Sequence, residues 1–143
     1  MKKLFSSFLL IAVLASCSSD DERSDLQTGS WTLENAYVDG EFVDLSEYGL
    51  YTVIFEPDRI RGYDGCNWIG GIYEINGEFL DVTELGATKR LCFYVQGYVA
   101  LQPEHTYHLD LSEGTLKITS PSGDEAYVFA PTNYDIEFGS APY

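Results

Sequence analysis

The stretch GIYEINGEFLDVTEL, residues 71–85, decides the fold. Two runs of strand character, "GIYEI" and "EFLDVTEL", meet at Asn76-Gly77, a pair whose preference for positive φ predicts a hairpin turn. The same pattern extends in both directions. Upstream, "WTLENAYV" passes through Asp39-Gly40 into "EFVDL", and in "LYTVIFE" the residues Tyr51, Val53 and Phe55 share one face before Pro57-Asp58 turns the chain into "RIRGY". Downstream, "YHLDL", "TLKITS" and "EAYVFA" are separated by Glu113-Gly114 and "PSGD". The pattern predicts a mostly β domain of about eight strands, most of them antiparallel neighbours.

One segment breaks the period. Leu91, Tyr94, Val95, Tyr98 and Leu101 recur at helical spacing and Pro103 stops the run, which predicts a helix over 91–101 despite Gly97, a cost of about 1 kcal/mol relative to Ala. A helix with one apolar stripe needs a sheet to cover it. A curved antiparallel sheet or partly open barrel packed around that single helix satisfies both and protects the edge strands.

The first residues, "MKKLFSSFLLIAVLASC", have a basic start at Lys2 and Lys3, an apolar run from Leu4 to Leu14, then small residues, the anatomy of a secretory signal peptide over 1–16. The run falls well below the roughly 20 residues that a helix needs to cross a bilayer. Leu14-Ala15-Ser16-Cys17 resembles the lipobox of bacterial lipoproteins. That resemblance implies a diacylglycerol thioether on Cys17, cleavage before it, and acylation of the new amino terminus. Residues 17–28 are polar and acidic and read as a flexible tether. Ser18, standing where an Asp would retain an enteric lipoprotein at the inner membrane, points to the outer membrane. "SDDE" after Cys17 resembles the signal that sends some lipoproteins to the cell surface, and reads equally as a solvated linker. The domain then occupies 29–131, and 132–143 either adds an edge segment or trails.

The net charge of −15 becomes −17 once Lys2 and Lys3 are removed with the signal peptide. Such a surface repels phosphate backbones and anionic head groups, which excludes nucleic acid as a partner and leaves lipid as the means of membrane attachment. Acidity suits calcium, but the oxygen-rich spacing of an EF-hand loop is missing, and "VDGEFVD" reads as a hairpin. With Cys17 lipidated, Cys66 and Cys92 remain as a pair in an oxidising compartment. A bridge between them closes a loop of about 26 residues, which contributes roughly 3.5 kcal/mol in the chain-entropy treatment. The alternative is two separate buried thiols.

His105 and His108 are the only histidines, and residues three apart on a strand point to opposite faces, so no shared metal is expected. No Gly-x-Ser-x-Gly elbow and no phosphate loop is present. No cofactor and no catalytic residue is expected. Aromatics make up 15% of the chain, with eleven tyrosines. Most are expected to line the core with their phenols reaching outward, while Tyr63 and Trp68, flanking a glycine-rich bend, are the candidate exposed pair for stacking on a sugar or anchoring a partner.

Gly62, Gly65-Cys66-Asn67 and Gly71-Ile72-Tyr73, followed by Thr88 and Cys92, resemble the hallmarks of the META domain, also called the HslJ-like family, of bacterial envelope proteins. Gly29-Ser30-Trp31 matches the family's opening Gly-x-Trp, so the resemblance spans about residues 29–130. The chain departs from the pattern where members carry a longer helical region and a Glu after the second cysteine; Gln96 holds the nearest position. The resemblance implies a structural or stress-related role and carries over no catalytic residue. On this reading the glycines let a barrel-like sheet bend, Asn67 bonds a neighbouring turn, and Cys66 pins the bend to the helix start at Cys92. Lys89 and Arg90 beside Cys92 keep a reactive thiol as the alternative. The function expected is that of a non-enzymatic envelope lipoprotein meeting another envelope component. The alternative is a module binding a lipid, peptide or glycan in an aromatic-lined cleft of about 300 Å³ or more.

Overall fold

The computed structural model describes residues 26–27, 29–93 and 97–132. The signal peptide, Cys17, most of the tether and the tail beyond Thr132 lie outside the described residues.

Nine strands form one antiparallel sheet: β1 (Ser30–Val38), β2 (Glu41–Val43), β3 (Tyr51–Phe55), β4 (Arg59–Asp64), β5 (Trp68–Asn76), β6 (Phe79–Ala87), β7 (His105–Ser112), β8 (Thr115–Thr119) and β9 (Glu125–Pro131). Neighbours follow chain order from β3 to β9, and β9 returns to pair with β1 from Trp31↔Pro131 to Val38↔Glu125. The sheet therefore closes. Eight strands make an up-and-down barrel, and β2 is a ninth that pairs only with the second half of β1, where β3 has ended.

The two-residue turns explain much of this connectivity. Asp39-Gly40 and Glu113-Gly114 have positive φ at both positions, the geometry whose twist matches that of paired strands. The central hairpin differs from expectation by one residue. Asn76 pairs with Phe79, so the turn is Gly77-Glu78, with positive φ at Gly77 alone. Asn76 instead donates its side-chain amide to Asp81 across the hairpin at 3.0 Å.

Two bulges adjust which side chains face inward. Glu34 is unpaired against β9, so Leu33 and Ala36 are both buried although three residues apart. Thr83 is likewise the extra residue on β6, placing Leu80, Val82 and, beyond the bulge, Leu85 on the inner side. The interior holds Val53, Phe55, Ile60, Leu80, Tyr107, Leu116, Ile118, Tyr127 and Phe129, all 2% exposed or less. The outer faces carry Glu74, Thr106, His108, Asp110 and Lys117. A packed apolar interior is the reverse of the polar lumen of a lipid-facing barrel, although Phe42, Ile72 and Phe79 also stand exposed on the outside.

The barrel has two different ends. At one, Trp31 donates its indole N–H to the Leu26 carbonyl at 3.1 Å, and Gln27 donates to the Tyr73 hydroxyl at 2.9 Å. Leu26 is fully buried there, so residues assigned to the tether by sequence contribute to the core. The Thr132 N–H bonds the Ser30 carbonyl at the same end.

The other end corrects the helix expected over 91–101. Residues 91–93 and 97–101 are not helical, and 94–96 lie outside the described residues. Leu91 is 88% exposed, whereas Tyr98, Ala100 and Leu101 are buried at the barrel mouth in chain without regular secondary structure. A closed barrel has no open face for a helix to cover; it has a mouth to fill, and three inward side chains do so. The spacing of Tyr98 and Leu101 resembles a helical stripe because two plug residues happen to stand three apart.

Candidate functional site

The motif residues assemble around the turn joining β4 to β5. Asp64, at the end of β4, folds its carboxylate back so that Oδ1 accepts the backbone N–H groups of Cys66 at 2.8 Å and Asn67 at 2.5 Å. This is the local bond that makes an Asp favourable at the start of a turn. The Asp64 N–H closes the turn onto the Asn67 carbonyl at 2.9 Å, and the Asp64 carbonyl accepts from Tyr98 N–H at 2.8 Å. Asp64 is only 7% exposed, yet its oxygens are held.

Asn67 faces the other way. Its Oδ1 accepts the Arg90 N–H at 2.8 Å, with the Thr88 hydroxyl at 3.4 Å, while Thr88 Oγ1 accepts the Trp68 N–H at 3.1 Å and the Thr88 N–H bonds the Trp68 carbonyl at 2.9 Å. Cys66 and Cys92 form a disulfide with Cα atoms 5.9 Å apart. The turn is thus fastened to residues 88–92 twice, by an amide and by a covalent bond. Cys92 itself is not helical; it lies in the largely exposed strap of residues 88–93.

Backbone contact explains the central glycine. Gly65 has φ of +95°, and a Cβ on it would sit 2.5 Å from the Gly49 Cα. Gly49 and Gly65 therefore touch backbone to backbone, which no side chain permits. Gly62 lies on β4 beside Thr52 of β3, and Gly71 on β5 beside Glu84 of β6, each so close that a Cβ would meet a carbonyl oxygen. Tyr73 is buried at the far end, its hydroxyl bonding the Glu56 carbonyl. The expected cluster is thus divided: Gly65, Cys66, Asn67, Thr88 and Cys92 meet at one mouth, and Tyr73 closes the opposite one.

Tyr63 and Trp68 pair across β4 and β5 with ring centroids 5.2 Å apart. Each is half-buried on the outer face, so the pair is partly accessible. The histidines do not converge: His105 Nδ1 lies 2.8 Å from the Pro103 carbonyl, and His108 Nε2 lies 3.3 Å from Glu78.

Sequence reasoning missed Asp64 and Gly49, and placed Gly97 and Tyr98 in a helix. Asp64-Gly65 is a readable turn pair. Gly49 and Gly97 carry no such mark, since their role is contact with a distant segment: a Cβ on Gly97 would lie 2.7 Å from Asp64 Oδ1. Two cavities flank Tyr51 and Tyr98 at this mouth, of 170 Å³ and 150 Å³. Both are smaller than the cleft of about 300 Å³ expected for a ligand-binding module.

The family model for the META domain matches residues 24–133. The chain belongs to the META domain family. The match starts before Leu26, consistent with that residue's place in the core. No curated protein matches the chain. Among solved structures, the META barrel resembles the NMR structure of a protein from Burkholderia xenovorans, at 16% identity and TM-score 0.62, covering 94% of this chain and 100% of that one. A second NMR structure aligns at 16% identity and TM-score 0.51, covering 79% of this chain and 93% of that one. At such identity these likenesses show the fold alone. The META motif of this chain is a clasp whose thiols are joined to each other.

Proposed function

We propose that this META domain is a non-enzymatic interaction module of the cell envelope, tethered to the outer membrane through lipid on Cys17. The observation that carries the reading is the use of the motif's own groups. Asp64, Asn67 and Thr88 bond one another and the backbone, and Cys66 and Cys92 are bridged, so the motif offers neither a free thiolate nor an unengaged general base. Leu26 and Thr132 lie at the end opposite the clasp. A tether from Cys17 then presents the clasped mouth away from its own attachment point, where another envelope component can meet it.

The test is metabolic labelling with palmitate and protease shaving of intact cells. The reading expects label on the wild-type chain and none on Cys17→Ala. Label that persists in Cys17→Ala, or a wild-type chain that takes up none, refutes the anchor. Catalysis is tested apart from this, since any turnover surviving purification and lost on Asn67→Ala contradicts an architectural motif.

A further inference from the structure

We propose that the second half of β6, Thr83–Ala87, is an open sheet edge that takes up an extended segment of another protein as an added strand. The proposal rests on the interaction reading above and deepens it, naming the contact element and the chemistry that recognises it.

The edge follows from the register. β6 pairs with β5 as far as Ala87, but with β7 only as far as Val82, opposite His105. On the β5 side the Thr88 N–H bonds the Trp68 carbonyl at 2.9 Å. Pairing groups alternate along an antiparallel strand, so the N–H and C=O of Leu85 and Ala87 point the other way, to the side that β7 does not reach. Among the described residues no backbone group bonds them there. Thr83, Glu84, Gly86 and Ala87 are exposed. Val99, Leu101 and Pro103, on the way into β7, line the same 170 Å³ cavity as Leu85 and Ala87 with no backbone bond between them, so this stretch does not stand in for the missing strand.

Two glycines supply a second observation. Gly70 and Gly86 are register partners on the outer face, neither has a positive φ, and a Cβ on Gly70 or Gly86 would come no closer than 3.8 Å or 3.9 Å to a distant atom. Gly62, Gly65 and Gly71, by contrast, are held to glycine by touching backbone. The fold therefore does not require Gly70 or Gly86, and glycine inside a strand weakens it. What the pair provides is a floor bare of side chains. Trp68 and Ile72 stand two residues to either side of Gly70 on the same face, and Ile72 is 45% exposed. A large side chain opposite Gly86 on an added strand lies back across this floor, as aromatic rings cover edge glycines.

These features choose the occupant. Unbonded N–H and C=O groups at a sheet edge recognise an extended backbone. The floor between Trp68 and Ile72 takes an apolar side chain. A net charge of −15 repels a second copy and any acidic segment, so the incoming strand is neutral or basic. Beyond Glu84 the edge is also undefended, since Leu85-Gly86-Ala87 has neither the charge nor the proline that blunts an edge.

Amide hydrogen exchange on the purified full chain is the first test. Leu85 and Ala87 are expected to exchange freely while Gly86 and Thr88, bonded to β5, are slow. Protection of Leu85 and Ala87 in the free chain means that the edge is already paired and overturns the proposal. In the protein's own cells, a photoreactive residue at position 84 is expected to give one discrete protein adduct that is missing with the residue at 117 on β8, a strand paired on both sides. Ala87→Pro removes an edge N–H without breaking a β5 bond, and Gly86→Val fills the floor; each is expected to lower the adduct about tenfold. Gly86→Val should also leave the melting temperature level or raised, which a structural glycine would not allow. Where Ala87→Pro fails to fold, Gly86→Val decides alone. No adduct, an equal one at 117, one indifferent to the variants, or a melting temperature lowered by Gly86→Val overturns the proposal. So does a crosslink between two copies or within one chain, which assigns the edge to the protein itself. Loss of palmitate label would refute the anchor alone and leave this result standing.

Discussion

The side-chain oxygen of Asn67 accepts the backbone N–H of Arg90 at 2.8 Å, across a separation of 23 residues, and so holds the strap over the barrel mouth. Replacing Asn67 by Ala leaves the Arg90 N–H to water and removes the amide's contacts with Asp64 and Thr88. The expected loss is about 1–2 kcal/mol in urea unfolding, together with new protease cleavage at residues 88–93.

Joining Cys66 to Cys92 restrains a separation of 26 residues. Cys66→Ser/Cys92→Ser is expected to lose about 2–4 kcal/mol of unfolding free energy, and dithiothreitol should lower the melting temperature of the wild-type chain to that of the double variant. A double variant that melts with the oxidised wild type would show that the covalent link does not hold the fold.

Gly65 and Gly77 both have positive φ, at +95° and +64°, but only Gly65 meets another backbone within 4 Å, while nothing approaches Gly77. Gly77→Ala is therefore expected to cost about 1 kcal/mol, the left-handed penalty alone. Gly65→Ala must also force Gly49 away and is expected to cost at least about 3 kcal/mol or to abolish folding. Chemical denaturation of the pair separates close contact from conformational preference.

Burial pushes the Tyr51 phenol well above its ordinary pKa, with nearby Tyr107 and Asp64 acting in the same direction. The Leu101 backbone opposes only weakly, since it makes no hydrogen bond of normal geometry to this hydroxyl. Tyr98, Tyr107 and Tyr127 are shifted upward as well, each mainly by burial. Above the unfolded value of about 10 the unfolded chain releases protons that the folded chain retains, so stability is full below pH 10 and falls as pH rises toward the folded values. Melting temperatures measured from pH 8 to 12 should stay level and then drop. Tyr51→Phe should make the drop shallower and cost less than about 1 kcal/mol at pH 7, because its hydroxyl has no bond to lose.

Asp81 behaves in the opposite sense. Hydrogen bonds from Thr106 and then Asn76 lower its pKa, so the stability they contribute is present above about pH 4 and fades as pH falls through the depressed value. The group is largely exposed, so Asp81→Asn should change acid unfolding only slightly.

The strands were legible because their signals are local. Asp39-Gly40 and Glu113-Gly114 turn as their residue types require, and Tyr51, Val53 and Phe55 share the inner face. Closure was not legible, because the pairing of Trp31 with Pro131 joins the two ends of the domain, and no short window contains both. The helix failed for a related reason. Tyr98 and Leu101 are apolar because the barrel has a mouth to fill, and spacing alone cannot distinguish a plug from a helical face. The bridge between Cys66 and Cys92 followed from counting thiols, whereas Asp64, which organises the turn between them, has the look of one carboxylate among many.

The central claim is that the motif fastens residues 88–92 and Tyr98 at the barrel mouth. Amide hydrogen exchange on the oxidised chain tests it most directly. The account predicts that the N–H groups of Thr88, Arg90 and Tyr98 exchange slowly in the wild type, and that Asn67→Ala speeds all three together while the amides of β3 and β8 stay protected. Free exchange of those three in the wild type, or protection unchanged in Asn67→Ala, would contradict it.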